Sequence, residues 1–224
     1  MDTTTTSITP LNPRRSADRH DLTARARIRD AALYCFARDG FRVPLRTIAE
    51  EAGVSVPLIT HHYGTKDHLH HVCDERVLER FLDMKILAIH EPDSIKDTLA
   101  DTSAASVLTV YMVRSFLDAT SSAQAFFSQF VDHLRTIVAA ARGAGMITES
   151  GDEEERLHLL ASQAIGSLMV EFAINPPADP RDFVDQVYTS RNLAAQLEFY
   201  SRPFFTEHPA MKTYLEHVRS RGQD

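Results

Sequence analysis

The stretch Leu45–Tyr63, LRTIAEEAGVSVPLITHHY, combines residue types and spacings suited to one kind of chemistry. Ile48, Ala52, Val54 and Ile59 fall where two short helices bury one face each against a preceding helix. Ala49 is small where those helices cross closely, and Gly53 supplies a turn conformation that a β-carbon would strain. This is a helix-turn-helix pattern. The second helix of such a unit lies in the DNA major groove and reads base edges from near its N-terminus. The free amides and dipole at that end also favour phosphate. The chemistry is recognition of a duplex; no bond is made or broken.

Other constellations were weighed against bonds that are made and broken. His68, His70, His71 and Cys73 cluster just beyond this stretch, and His70 with Cys73 has the spacing of metal ligands on a helix. His71 points elsewhere and no carboxylate completes the set, so the expectation is a solvated or packed histidine cluster and no metal. Gly143-Ala-Gly145 lacks the third glycine and the preceding strand of a dinucleotide loop. Gly64-Thr65-Lys66 lacks the upstream glycine of a phosphate loop, and neither GxSxG nor HExxH occurs. The sequence therefore carries no signature of an enzyme or of a cofactor.

The elements that must position the helix-turn-helix are readable around it. Ile28, Ala31, Ala32, Cys35 and Phe36 recur at helical spacing, and Asp39-Gly40 ends that helix. Pro44 suits the start of a second helix over Leu45–Ala52. Ser55 reads as an N-cap and Pro57 as a first-turn residue of a third helix ending near Tyr63. Thr65 caps a long fourth helix reaching about His90, before Glu91-Pro92. Further helices are expected near 94–101, 103–118, 122–142, 153–174, 181–200 and 208–220, with no strand. The fold class is all-α: a disordered tail over 1–17, a helix-turn-helix domain over 18–66, a connecting helix over 67–91, and a larger helical domain over 92–224.

Composition agrees. The chain of 224 residues is 43% hydrophobic and 25% charged with 8 glycines and 10 prolines, which excludes collagen-like and wholly disordered classes. No uninterrupted apolar run has the length of a membrane span, and Met1–Pro10 is not a secretory signal, so no membrane partner is expected. Cys35 and Cys73 are too few for a disulfide framework, which points to a reducing, cytoplasmic setting. The net charge of −7 is uneven: residues 1–66 carry a surplus of positive charge and the remainder is strongly acidic. Only the head is suited to an anionic partner. Arg14, Arg15 and Arg19 lie on or beside the tail, where a basic arm can enter a minor groove or simply be solvated.

Three segments together resemble the TetR/AcrR family of bacterial transcriptional regulators: Arg29–Gly40 (RDAALYCFARDG), Ile48–Ser55 (IAEEAGVS) and His61–Leu69 (HHYGTKDHL). The resemblance covers residues 24–90; beyond them it extends only to length, helical character and acidity. It implies a homodimeric repressor, bound as double-stranded DNA reader to a near-palindromic operator in the bacterial nucleoid and released by a small-molecule effector. It places Arg46 at the start of the second helix, in reach of a guanine or a phosphate. It places Ser55, Val56, Pro57, Leu58, Thr60 and His61 on the DNA side of the third helix, Tyr63 and His62 against the backbone or in packing, and Lys66 at a phosphate. Many members carry Lys at the place of Val56 and Tyr at the place of Thr60, and a Ser/Thr cap at the place of Pro44. Readout here is therefore expected to lean on Arg46, His61 and apolar contact with thymine methyls.

In the larger domain, Tyr111, Arg114, Phe127, Phe130, His133, Met169 and Phe172 gather aromatic, Met and a few polar groups on three helices, either as a ligand chamber or as plain core. Arg114 within an apolar helix wants an anionic partner: Asp118, Glu171 or a ligand. The apolar faces of 153–174 and 181–200 suit either a two-fold helix bundle with a twin or burial within one subunit. The expected function is a ligand-released repressor. The alternative is a helix-turn-helix activator or architectural factor without ligand control.

Overall fold

The computed structural model describes residues 13–91, 93, 102–118, 121–188, 192–202 and 209–221. Every regular element among them is helical, in agreement with the all-α expectation. In chain order these are α1 (Pro13–Asp39), α2 (Leu45–Ala52), α3 (Val56–Tyr63), α4 (Lys66–His90), α5 (Ser103–Leu117), α6 (Ser121–Gly143) and α7 (Glu153–Ile174). A 3-10 turn (Pro180–Asp182) then leads into α8 (Phe183–Tyr188), α9 (Asn192–Ser201) and α10 (Pro209–Arg221). The expected helix near 94–101 lies outside the described residues.

Two boundaries and one cap differ from the sequence reading. α1 begins at Pro13, so residues 13–17 of the expected tail are helical. Proline is tolerated at a helix's first position because its missing N–H has no partner there, and the residues after it include good helix formers. The expected helix over 181–200 is instead the 3-10 turn, α8 and α9, with 189–191 outside the described residues. Asp179 starts this run: its carboxylate accepts from the Arg181 amide at 2.8 Å. Finally, Ser55 occupies the N-cap of α3 with extended backbone, but its hydroxyl makes no capping bond.

The chain divides into two compact units, the first ending at Val184 and the second starting at Asp185. In the first, α1 packs against α2, α4 and α5, α4 against α6, and α7 against α5 and α6. Ile28, Ala32, Cys35 and Phe36 from α1 close on Ile48 and Ala49 from α2 and on Ile59 from α3, all buried. Each large side chain among them contributes about 1.5–3 kcal/mol by leaving water. Val110, Tyr111, Phe126, Phe130, Leu157 and Ala161 form the core farther along. In the second unit, Phe199 and Tyr200 on α9 and Tyr214 on α10 are exposed.

α7 is an outlier. Its 22 residues are long and apolar enough to cross a membrane by length and composition, yet only 17% of that window is buried. Leu157, Ala161 and Ile165 form its one buried stripe. Leu159, Val170 and Ile174 are 57%, 56% and 68% exposed.

Candidate nucleic-acid interface

α3 is held by one face. Ile59 and Tyr63, four residues apart, are buried, so the helix seats on α1 along that side. The Tyr63 hydroxyl donates to the Arg25 carbonyl on α1 at 2.7 Å, and the Arg25 guanidinium lies 5.6 Å from the Tyr63 ring centre. Burial pushes the Tyr63 phenol above its ordinary pKa. Tyr63 is thus packed with its polar end bonded inside the head, which favours the packing alternative of its sequence reading over contact with the DNA backbone. Helical periodicity then turns Pro57, Thr60 and His61 outward, with Val56 and Leu58 half-exposed at the margins.

The turn before α3 sets its angle. Gly53 adopts φ 63° and ψ 41°, the left-handed region that the sequence pattern requires. Its amide donates to the Glu50 carbonyl at 3.2 Å, and the Val54 amide to the Ala49 carbonyl at 3.0 Å. These bonds satisfy α2's last carbonyls while reversing the chain. At the other end, Gly64 has φ 69°, and the Thr65 hydroxyl accepts the His68 amide at 3.1 Å, the expected cap of α4.

The polar groups of this surface have defined partners. Arg46 is 85% exposed, and its Nε donates to Glu50 Oε1 at 2.9 Å, one helical turn on. Such an exposed pair is weak, about 0.3–0.5 kcal/mol, so a base or phosphate can displace it. The Thr60 hydroxyl donates back to the Val56 carbonyl at 3.3 Å and retains acceptor capacity. Ser55 is exposed with its hydroxyl uncommitted to capping. Lys66 stands at the first position of α4, half-buried, and burial lowers its ammonium pKa. The site thus offers cations and amides at two helix N-termini beside a short apolar-and-hydroxyl face, a surface suited to phosphate and base edges. Glu50 belongs to this surface although the residue-by-residue reading passed over it; its i,i+4 spacing from Arg46 is the signal that could have found it.

The residues read as a ligand chamber are not gathered around one described cavity. Tyr111 and Phe130 are fully buried. The Tyr111 hydroxyl donates to Asp74 Oδ1 at 2.7 Å. Burial raises the Asp74 pKa and also lowers that of His70, which lies beside it. His133 Nδ1 sits 2.8 Å from the Gln129 carbonyl of its own helix. Phe127 packs against His158 with ring centres 5.9 Å apart, and Met169 is half-buried on α7. Arg114 pairs with neither Asp118 nor Glu171: its Nε and Nη2 donate to the Ala37 and Arg38 carbonyls at 2.5 and 2.8 Å, and the Phe172 ring centre lies 5.2 Å from its guanidinium carbon. A helix C-terminus carries partial negative charge, so it serves an arginine as an anion would. A cleft of about 220 Å³ does lie between α4 and α6, lined by Asp67, His70, His71, Asp74, Ala125, Phe126 and Gln129. Among the described residues no group of three or more His, Cys, Asp or Glu side chains could hold a metal.

Comparison with known proteins follows the same division. Residues 28–72 match the family model of bacterial regulatory proteins of the tetR family. Residues 104–206 match the tetracyclin repressor-like C-terminal domain. The chain is 31% identical over 198 residues to the HTH-type transcriptional regulatory protein RaaS of Mycobacterium tuberculosis, covering 87% of this chain and 93% of that one. Among solved structures, a TetR-family transcriptional regulator from a Rhodococcus species shares the fold with a TM-score of 0.54 at 18% identity, over 73% of this chain and 97% of that one.

Proposed function

The chain belongs to the TetR family of bacterial transcriptional regulators, DNA-binding helix-turn-helix proteins, and from that premise we propose how this member works. It is a homodimeric repressor that binds a near-palindromic operator and leaves it when a small molecule binds the body. Residues 18–66 are the reading head, 67–91 the connecting helix and 92–224 the ligand-binding and dimerisation body. It makes no covalent change in its partners, and it acts on the bacterial nucleoid.

The observation that carries this reading is the geometry of α3. One face is locked to α1 through Ile59 and Tyr63, and the opposite face stands exposed between Arg46 and Lys66. Arg46 reads a guanine edge once it leaves Glu50. Val56, Pro57 and Leu58 meet thymine methyls, while Ser55, Thr60 and His61 supply polar contacts. Lys66 and the α4 amides hold a phosphate.

Dimerisation is supported by α7. An apolar helix with most of its surface exposed is stable in water when a second apolar surface covers it, and Leu159, Val170 and Ile174 form such a surface. A two-fold pairing of α7 helices gives an isologous interface. Two heads related by that axis then require half-sites about one helical turn, or a multiple of it, apart. The effector acts by binding more tightly to a dimer whose heads are wrongly spaced. Phe127, His133, Met169 and Phe172, half-buried on α6 and α7, are residues of the expected chamber that a ligand can still reach.

The test is selection of bound duplexes from a random pool at two salt concentrations. Enrichment of an inverted repeat at both supports the reading. Recovery of no motif, with binding that vanishes at moderate salt, overturns it, because only phosphate attraction would then remain.

A further inference from the structure

The last turn of α1 leaves carbonyls that no helical amide can reach. The Phe36 carbonyl accepts the Gly40 amide at 2.9 Å, and the Gly40 carbonyl accepts the Val43 amide at 3.2 Å. Between them, the Ala37 and Arg38 carbonyls are both taken by the Arg114 guanidinium, which comes from α5. The body thus supplies the C-terminal cap of the head's first helix. Burial lowers the Arg114 pKa while the Asp39 carboxylate opposes that, so the group is partly stripped of water and these two bonds replace part of its hydration. Phe172 of α7 covers the guanidinium face.

A second contact holds the same end of α1, from the segment that follows α7. Asp179, just past α7, accepts the Tyr34 hydroxyl of α1 at 3.2 Å. Arg181 lies 3.9 Å above the Tyr34 ring, and Arg38 lies 5.2 Å from it. Gly40 ends α1 on a backbone at φ 80°, the left-handed region that favours glycine; a β-carbon there would only touch Arg114 Nη1, at 3.6 Å.

We propose that Arg114 is a positioning residue for DNA binding: by capping α1 beneath Phe172, it fixes the angle between the reading head and α7, and so sets the half-site spacing the dimer accepts. The spacing clause rests on the DNA-reading function above; the angle clause does not. Arg114 touches no DNA. Phe172 of α7 stacks on the Arg114 guanidinium that caps α1, and Asp179, five residues past α7, holds Tyr34 of the same helix, so a shift of Phe172 is passed to the head through Arg114. Displacing Phe172 is therefore also the route by which an effector on α6 and α7 would reach α3.

Two measurements on the full chain test this. In the first, nitroxide labels at Asp30→Cys and Glu155→Cys, both exposed, report the head-to-α7 distance within one protomer, with unlabelled protein in excess. Cys35 and Cys73 are buried, and burial raises both thiols, Cys35 to about 11, so neither competes for label. A single narrow distribution is expected for the native chain and a broadened or displaced one for Arg114→Met. An unchanged distribution overturns the proposal, whether or not the protein reads DNA. In the second, duplexes carrying the selected half-sites are offered with spacers altered by one and two base pairs. The native chain should favour its own spacing by about tenfold, and Arg114→Met should lower this to about threefold or less with the half-site sequence unchanged. Arg114→Lys, still able to donate to one carbonyl, should recover part of the preference. A uniform loss at every spacing marks a merely structural role and overturns the proposal. If Arg114→Met fails to melt cooperatively, Phe172→Leu, which leaves the cap in place, decides: spacing preference and label distances both equal to the native ones overturn it.

Discussion

α3 and α7 both leave apolar side chains at the surface, yet they solve different problems. α3 is an eight-residue helix whose exposed Pro57 and half-exposed Val56 and Leu58 fall in the chain between an exposed arginine, Arg46, and a lysine, Lys66. α7 is 22 residues long, begins with Glu153, Glu154 and Glu155, and exposes Leu159, Val170 and Ile174. Exposure beside cations fits an anionic duplex; exposure on a long helix headed by acids fits another apolar helix. The charge at the margins, and not the apolar content, tells the two surfaces apart.

The sharpest way to break that comparison is to put charge on α7. Val170→Glu places a carboxylate on the face of α7 that we propose meets a second α7. The dimer should dissociate in sedimentation at micromolar concentration. Operator affinity should fall by about 10²–10⁴-fold, because two heads no longer act as one ligand. Binding to a single half-site should be nearly unchanged. A variant that stays dimeric would move the interface off this face of α7.

On α3, the corresponding change is smaller. Arg46→Ala should cost about 1–3 kcal/mol at the operator and relax preference at one base pair, read by repeating the duplex selection. An unaltered preference removes Arg46 from base readout. Gly53→Ala forces a β-carbon into the left-handed region and should destabilise the head by about 1–2 kcal/mol, seen as a lower melting temperature. Lys66→Ala should weaken binding to all sequences alike and flatten the dependence of log affinity on log salt by about one unit. An unaltered slope would show that Lys66 meets no phosphate.

How much of this was legible in the sequence follows from where each signal resides. The head was legible because its signals are local. Gly53 must adopt a conformation that a β-carbon would strain, Thr65 must cap α4, and Ile48, Ala49 and Ile59 repeat at helical spacing; all are found as read. Where local signals failed, tertiary packing had taken over. The sequence leaves Tyr63 open between the DNA backbone and packing, because the carbonyl that takes its hydroxyl lies on α1, 38 residues earlier. Arg114 wanted an anion, and candidate acids lay four residues and one helix away. Its acceptors are instead the backbone carbonyls that end α1, 76 and 77 residues earlier. Carbonyls have no letter in the sequence, so this grip leaves no motif. Tyr34, Asp179 and Arg181 have letters, but their contact spans 145 residues and no local spacing reveals it. The exposed face of α7 was legible as apolar but not as exposed, because periodicity does not say which stripe the subunit itself covers.

The smallest expected effect tests whether the DNA face is poised or blocked. In the free protein Glu50 holds Arg46 at 2.9 Å, and Arg46 must give up that bond to meet a base. Glu50→Gln removes the charge and keeps the shape. Because the pair is exposed, its loss should tighten operator binding by no more than about 0.5 kcal/mol. Removing a carboxylate near the phosphates adds a gain of the same sign, but that part is common to all sequences and shrinks as salt rises. The two parts separate experimentally: release of Arg46 sharpens preference at the base pair it reads, while lost repulsion raises affinity for any duplex. In Arg46→Ala the first part must vanish and the second must survive. If Glu50→Gln sharpens nothing in the native background, the pair is only a solvated surface contact, and Arg46 is as available without the change as with it.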